Sequence, residues 1–204
     1  MTGKPKPFVY RESVRSYLES PEVRHAVNLL LDRKIGYMPE AFTAKQIADF
    51  YKACLAARQT QIDFVQDMVD MWHQVWPALG GDWQPVPHDP AVDDLSLDPV
   101  VRWSEGYFER RFELKSGGIR ADMWLYLGSN EATTSDVELG CGLWRGSKPL
   151  FKSGSMPLGW IWDKDDKVFR YTHDEAVYRD GLDLSLFRKA ALAAVRLIKS
   201  TAAQ

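Results

Sequence analysis

The chain has 204 residues, of which 45% are hydrophobic and 12% aromatic, enough apolar material to fill one sizeable core. A formal net charge of −2 leaves no global positive field, so net charge does not support nucleic acid as a partner, and any such contact must be local. No apolar h-region follows Met1, and the Ala190 to Ala194 run is bracketed by Arg188, Lys189, Arg196 and Lys199, so the expectation is a cytoplasmic protein with no membrane partner.

Ser20-Pro21-Glu22 reads as a helix start, with Ser20 as cap and Pro21 at the first helical position, where its missing N–H costs nothing. The apolar stripe Val23, Ala26, Val27, Leu30, Leu31 carries this helix to about Lys34, before Gly36. Thr43 and Gln46 have the spacing of a capping box, and the apolar pattern from Ile47 through Phe50, Tyr51, Cys54, Leu55, Ile62, Val65, Met68 and Trp72 to Trp76 predicts one long helix, interrupted only at Arg58 and ended by Pro77.

Gly80 to Pro99 contains Pro85, Pro87, Pro90 and Pro99 among several aspartates, and is expected to be an irregular connection. Beyond it the apolar period changes to two. Val100 to Leu114 and Ile119 to Leu127 read as a hairpin about Gly117-Gly118, with further strands at Val137 to Trp144, Gly159 to Trp162 and Lys167 to Thr172. A last helix from Leu184 to about Ser200, capped by Asp183 or Ser185, carries the stripe Leu184, Phe187, Ala191, Val195, Ile198. The predicted fold is α+β in one domain over residues 1–204. A helical part (8–79) and a proline-rich connection (80–99) precede a mainly antiparallel sheet of four to six strands, closed by the C-terminal helix (100–204).

Two reaction centres are expressible in these residues. Asp122 and Glu138 fall in adjoining strands, where two carboxylates can converge on a divalent cation that positions water for phosphodiester attack. Over Gly118 to Gly140 this arrangement resembles the metal core of the PD-(D/E)xK nuclease superfamily, although Gly140 stands where that pattern has its lysine. Alternatively Cys141, between Gly140 and Gly142, is a thiol nucleophile if His173 holds it as thiolate and Asp174 orients the imidazole. Otherwise Cys54 and Cys141 read as separate reduced thiols without metal-ligand spacing, and no cofactor is called for. Asp63, Asp67 and Asp70 share one face of the long helix and are expected to be like charges in solvent, with His73 a locally bonded boundary residue.

Eight tryptophans are the least ordinary feature of the composition. Arg102, Trp103, Tyr107, Arg120, Trp124, Trp160 and Trp162 interleave cations and aromatic rings along the strands, with Trp160 and Trp162 on one face and Ile161 on the other. The chain has no phosphate-binding glycine loop and no serine-hydrolase or zinc-protease motif. The leading expectation is therefore a non-catalytic binding or interaction protein that meets a protein or small molecule on an aromatic and arginine-bearing sheet face, ahead of the metal-dependent nuclease and the thiol enzyme.

Overall fold

The computed structural model describes residues 7–31, 43–86, 107–115, 117–127, 137–155, 157, 159–173 and 181–204; for Tyr107 and His173 it describes the backbone alone. Arg102, Trp103 and Asp174 lie outside the described residues, as do most of the expected proline-rich connection and the first part of the expected first strand.

Three helices come first: α1 (Glu12–Glu19), α2 (Pro21–Leu31) and α3 (Ala44–Val75). The Ser20 cap is present, its Oγ accepting from the Val23 N–H at 3.2 Å. The capping box at α3 is complete: Gln46 N–H donates to Thr43 Oγ1 at 3.3 Å, and the Thr43 N–H donates to Gln46 Oε1 at 2.9 Å. Thirty-two residues make α3 about 48 Å long at 1.5 Å per residue.

Helix α1 had no counterpart in the expectation. Its stripe Val14, Tyr17, Leu18 is buried, but its N-terminus lacks a local side-chain cap. The Arg11 N–H donates instead to Asp67 Oδ2 on α3 at 2.9 Å.

Seven strands form one sheet in the order β1-β2-β3-β4-β7-β6, with the short β5 pairing to β4. They are β1 (Trp83–Val86), β2 (Tyr107–Leu114), β3 (Ile119–Leu127), β4 (Val137–Arg145), β5 (Lys148–Pro149), β6 (Ile161–Asp163) and β7 (Val168–His173), all antiparallel. Helix α4 (Leu184–Ala202) follows, capped by Asp183, whose Oδ1 accepts the Ser185 N–H at 2.9 Å. The expected α+β arrangement is thus observed. Strand β1 corrects the reading of Gly80 to Pro99 as wholly irregular: among the described residues it pairs with β2 alone, and a proline is tolerated on the side of a ladder that no strand pairs with.

One face of the sheet carries the core. Phe108, Met123, Leu125, Leu139, Cys141, Leu143 and Phe169 meet Phe64, Met68, Met71, Trp72 and Val75 of α3 and Leu184, Phe187, Ala191, Ala194, Val195 and Ile198 of α4 in one hydrophobic cluster. The Trp72 and Phe108 rings lie 5.2 Å apart and those of Tyr171 and Phe187 5.6 Å apart, while Trp76 Nε1–H reaches the Trp124 carbonyl at 3.2 Å. Burying a side chain such as Phe187 contributes on the order of 2 to 3 kcal/mol. Backbone bonds between Phe8 and Leu182, at 2.9 and 2.7 Å, fasten the segment before α1 to the one before α4.

Candidate interaction surface

Because side chains alternate along a strand, the second face of the sheet is built by Glu109, Arg111 and Glu113 of β2, Arg120, Asp122, Trp124 and Tyr126 of β3, Glu138, Gly140, Gly142 and Trp144 of β4, and Arg170 of β7. Among the described elements, no helix makes more than minor contact with this face; α3 and α4 pack on the other. Two indole rings lie flat across it. A Cβ at Gly140 would sit 1.7 Å from Trp124 Cε2, and one at Gly142 would sit 1.8 Å from Trp144 Cη2, so each glycine is the space its tryptophan occupies. This accounts for Gly140 at the position where a nuclease pattern has lysine.

The charges of the face are distributed unevenly. Toward the β6–β7 end, Glu138 Oε1 accepts from Trp124 Nε1 at 3.1 Å and from Arg170 at 2.9 Å, while Arg170 also pairs with Asp163 at 3.0 Å and Asp166 at 2.8 Å. Burial works against the Arg170 charge, but Glu138 and Asp163 outweigh it and hold the guanidinium above its ordinary pKa. The Asp163 carboxyl is lowered, chiefly by the N–H groups of Asp166 and Asp165. In the middle, buried Asp122 accepts from Arg111 Nε at 3.0 Å, and Arg120 Nε stands 3.3 Å from its other oxygen, an ion-pair distance without hydrogen-bond alignment.

The opposite end differs. Ile119 pairs with Arg145, so the β2–β3 turn and the β4–β5 turn share one end of the sheet. There half-buried Trp144 is stacked by the Arg120 guanidinium, whose carbon lies 4.8 Å from the ring centroid. Lys115, Arg145 and Lys148 are exposed at the same end, Arg145 opposite Ile119 and Lys148 opposite Arg145, so these two leave their strands on the other side of the sheet's rim from Trp144.

The expected site residues separate accordingly. Arg120 and Trp124 are on this face, but Trp124 is only 6% exposed. Trp160 is 2% exposed and sits in the core, 6.4 Å from the Trp76 ring and 5.8 Å from Tyr171, so it is corrected from surface to core. Trp162 packs half-buried on Phe169, with exposed Ile161 on the other side of β6, as alternation required. Tyr107 begins β2 opposite Tyr126. The residues that were missed are Trp144, Arg145 and Lys148. Their signal was the pairing of Gly142 with a tryptophan two positions on in an alternating strand, followed by a basic turn.

Among the described residues neither expected reaction centre is brought together; Asp174 lies outside them. Asp122 faces Gly142, and Glu138 lies four residues along β4 from it, about 13 Å at ~3.3 Å per residue, each carboxylate committed to arginine. Among the described residues, no group of three or more His, Cys, Asp or Glu side chains is placed to hold a metal ion. Cys141 is fully buried on the core face, where loss of solvation pushes its thiol far above the ordinary value. Its register partner is Phe169, and the His173 backbone lies four residues further along β7, opposite Val137.

The α3 aspartates are not simply solvated. Ser13 Oγ donates to Asp63 at 2.6 Å, and the Arg11 guanidinium spans Asp67 and Asp70. Asp67 is 2% exposed, and burial lifts its carboxyl to about 6 against the opposing pull of Arg11. A groove of about 480 Å³ beside this cluster is lined by Phe8, Arg11, Asp67, Asp70 and His73 among others.

No family model, no curated protein and no solved structure matches the chain. No helix among the described residues is long and apolar enough to cross a membrane.

Proposed function

We propose that this chain is a non-catalytic binding protein whose working surface is the basic, aromatic end of the sheet, where Trp144 and Arg120 of the second face meet the rim of the β4–β5 turn, and that it takes an acidic segment of a protein partner. The observation that carries this is half-buried Trp144 with Arg120 stacked on it at 4.8 Å, at an end of the sheet whose β4–β5 turn is flanked by exposed Arg145 and Lys148. A stacked guanidinium keeps N–H groups for a carboxylate, and the indole supplies a flat apolar contact, the combination that anchors many interfaces. Elsewhere on the face the described cations are matched by Glu138, Asp163, Asp166 and Asp122, and Asp122 also stands 3.3 Å from Arg120, so the charge to spare at this end is that of Lys115, Arg145 and Lys148. An acidic peptide is favoured over nucleic acid because the overall charge of −2 supplies no wider field. Nothing in the geometry of Asp122 and Glu138, or of Cys141, favours the nuclease or thiol alternatives.

The test is a fluorescence titration with a glutamate-rich, tryptophan-free peptide at about 150 mM salt, with oligo-dT as comparator. We expect the peptide to bind more tightly than oligo-dT and the double variant Arg145→Glu, Lys148→Glu to bind at least about 10-fold more weakly, with Trp144→Leu losing the fluorescence response. Equal peptide affinity in the double variant, or tighter binding of oligo-dT, overturns the proposal.

A further inference from the structure

The exposed side of α3 carries an apolar seam that the described core does not include. At 100° per residue, the buried Ala57, Phe64, Met68 and Val75 centre on one side of the helix; Ile47, Tyr51, Leu55 and Ile62 fall within about 80° of one another, centred about 120° around the helix from that side. These four are 43%, 65%, 70% and 40% exposed. Nearly every residue from Ala44 to Ala56 is exposed, with Phe50 and Cys54 half-buried, so the first third of α3 stands out from the core.

The seam has coiled-coil spacing. Tyr51, Leu55, Arg58 and Ile62 follow one another at four, three and four, which are alternate d and a positions of a heptad. Lys45 and Lys52 then occupy successive e positions along one rim, followed by Gln59 and Gln66. Asp49, four residues after Lys45 and three before Lys52, takes a b position that borders both lysines on the side away from the seam, so the lysines and not Asp49 flank the seam.

That rim selects among occupants. A second copy in antiparallel register would set the lysine and glutamine rim against itself; in parallel register it would meet the g positions Ile47, Cys54 and Gln61, none of them acidic. Neither arrangement supplies a carboxylate. We therefore infer that the exposed seam of α3 docks an amphipathic helix of a different protein, one with aliphatic residues at its a and d positions and glutamate or aspartate on the flank facing Lys45 and Lys52. This surface is separate from the Trp144 corner and stands or falls independently of it. Pairing two such stripes buries on the order of 1,000 Å² in total, the lower end for specific association, so charge matching on the rim decides which helices bind.

The test uses the full chain and two designed helical peptides of three heptads with leucine and isoleucine at a and d, one with glutamate and one with lysine at e and g. Titration calorimetry should show the glutamate peptide binding at least about 10-fold more tightly than the lysine peptide. Leu55→Glu should abolish binding, and Lys45→Glu with Lys52→Glu should reverse the preference, with circular dichroism unchanged in every variant because the altered side chains are solvent-facing. Sedimentation of the chain alone should give a monomer, and vesicles of phosphatidylcholine with phosphatidylglycerol should not retain it. Equal affinity for the two peptides, a dimer dissociated by Leu55→Glu, or vesicle retention lost in Leu55→Glu overturns the inference.

Discussion

At their centres the two faces of β3 and β4 are buried to similar depth by opposite means. On the core face Ala121, Met123, Leu125, Leu139, Cys141 and Leu143 are all but inaccessible, and their stability comes from apolar transfer and close packing. On the other face Asp122 and Trp124 are nearly as buried, yet what surrounds them is guanidinium, carboxylate and the bare backbone of Gly140. Apolar burial tolerates exchange among similar shapes, whereas the second face depends on each charge keeping its counterpart and each indole keeping its glycine. Depth of burial alone is therefore a poor guide to what a substitution will do here.

The sharpest way to test the core side is Phe169→Ala, which leaves a cavity beneath Trp162 and Phe151 and should cost about 4 kcal/mol in urea unfolding. Next comes Gly140→Ala, where one methyl group meets the buried Trp124 ring; a loss of about 3 kcal/mol is expected, and a loss below about 1 kcal/mol would show that the ring is free to move and the contrast between the faces is overdrawn. Asp122→Asn strips the half-buried Arg111 and Arg120 of their shared carboxylate and should cost about 2 to 3 kcal/mol; an effect of a few tenths would place this pairing with ordinary surface ion pairs.

Asp67 extends the comparison to a carboxyl buried between helices. It titrates near 6 in the folded chain against about 3.9 when unfolded, so the folded state holds the extra proton between those values. Its contribution is fully present below about pH 4 and lost as pH rises through 6: wild-type stability relative to Asp67→Asn should fall by about 2 kcal/mol between pH 4 and pH 7, measured by urea unfolding at each pH. The smallest expected effect is Gly142→Ala, about 1 kcal/mol, because the atom it meets is the far edge of a half-buried Trp144 that has solvent to swing into.

Much of the fold was legible because its signals are local. The Thr43–Gln46 box, the Ser20 and Asp183 caps and the alternation through Ile119 to Leu127 and Val137 to Trp144 each act within a few residues, and each is where the sequence placed it. What escaped depends on distant partners. The start of α1 is completed by Asp67, which lies 56 positions later, and Pro85 fits a strand whose one neighbour among the described residues is β2. The surface was legible in kind but not in place: strand alternation puts Arg120 and Trp124 together, while only the register of β3 on β4 reveals that Trp124 is covered by the Glu138–Arg170 pair and that Trp144 is the more open ring. The exposed seam of α3 was hidden for a similar reason. Periodicity shows where the apolar residues of a long helix are, but not how far along it the rest of the molecule reaches.

The backbone clasp between Phe8 and Leu182 joins residues separated by nearly the whole length of the chain. On a ribosome Phe8 emerges long before Leu182 exists, so Asp67 of α3 can hold Arg11 early, while the clasp at Phe8 closes only after the entire sheet has been synthesised and the segment before α4 arrives. The final helix thus acts as a latch whose late arrival completes a fold begun at its other end.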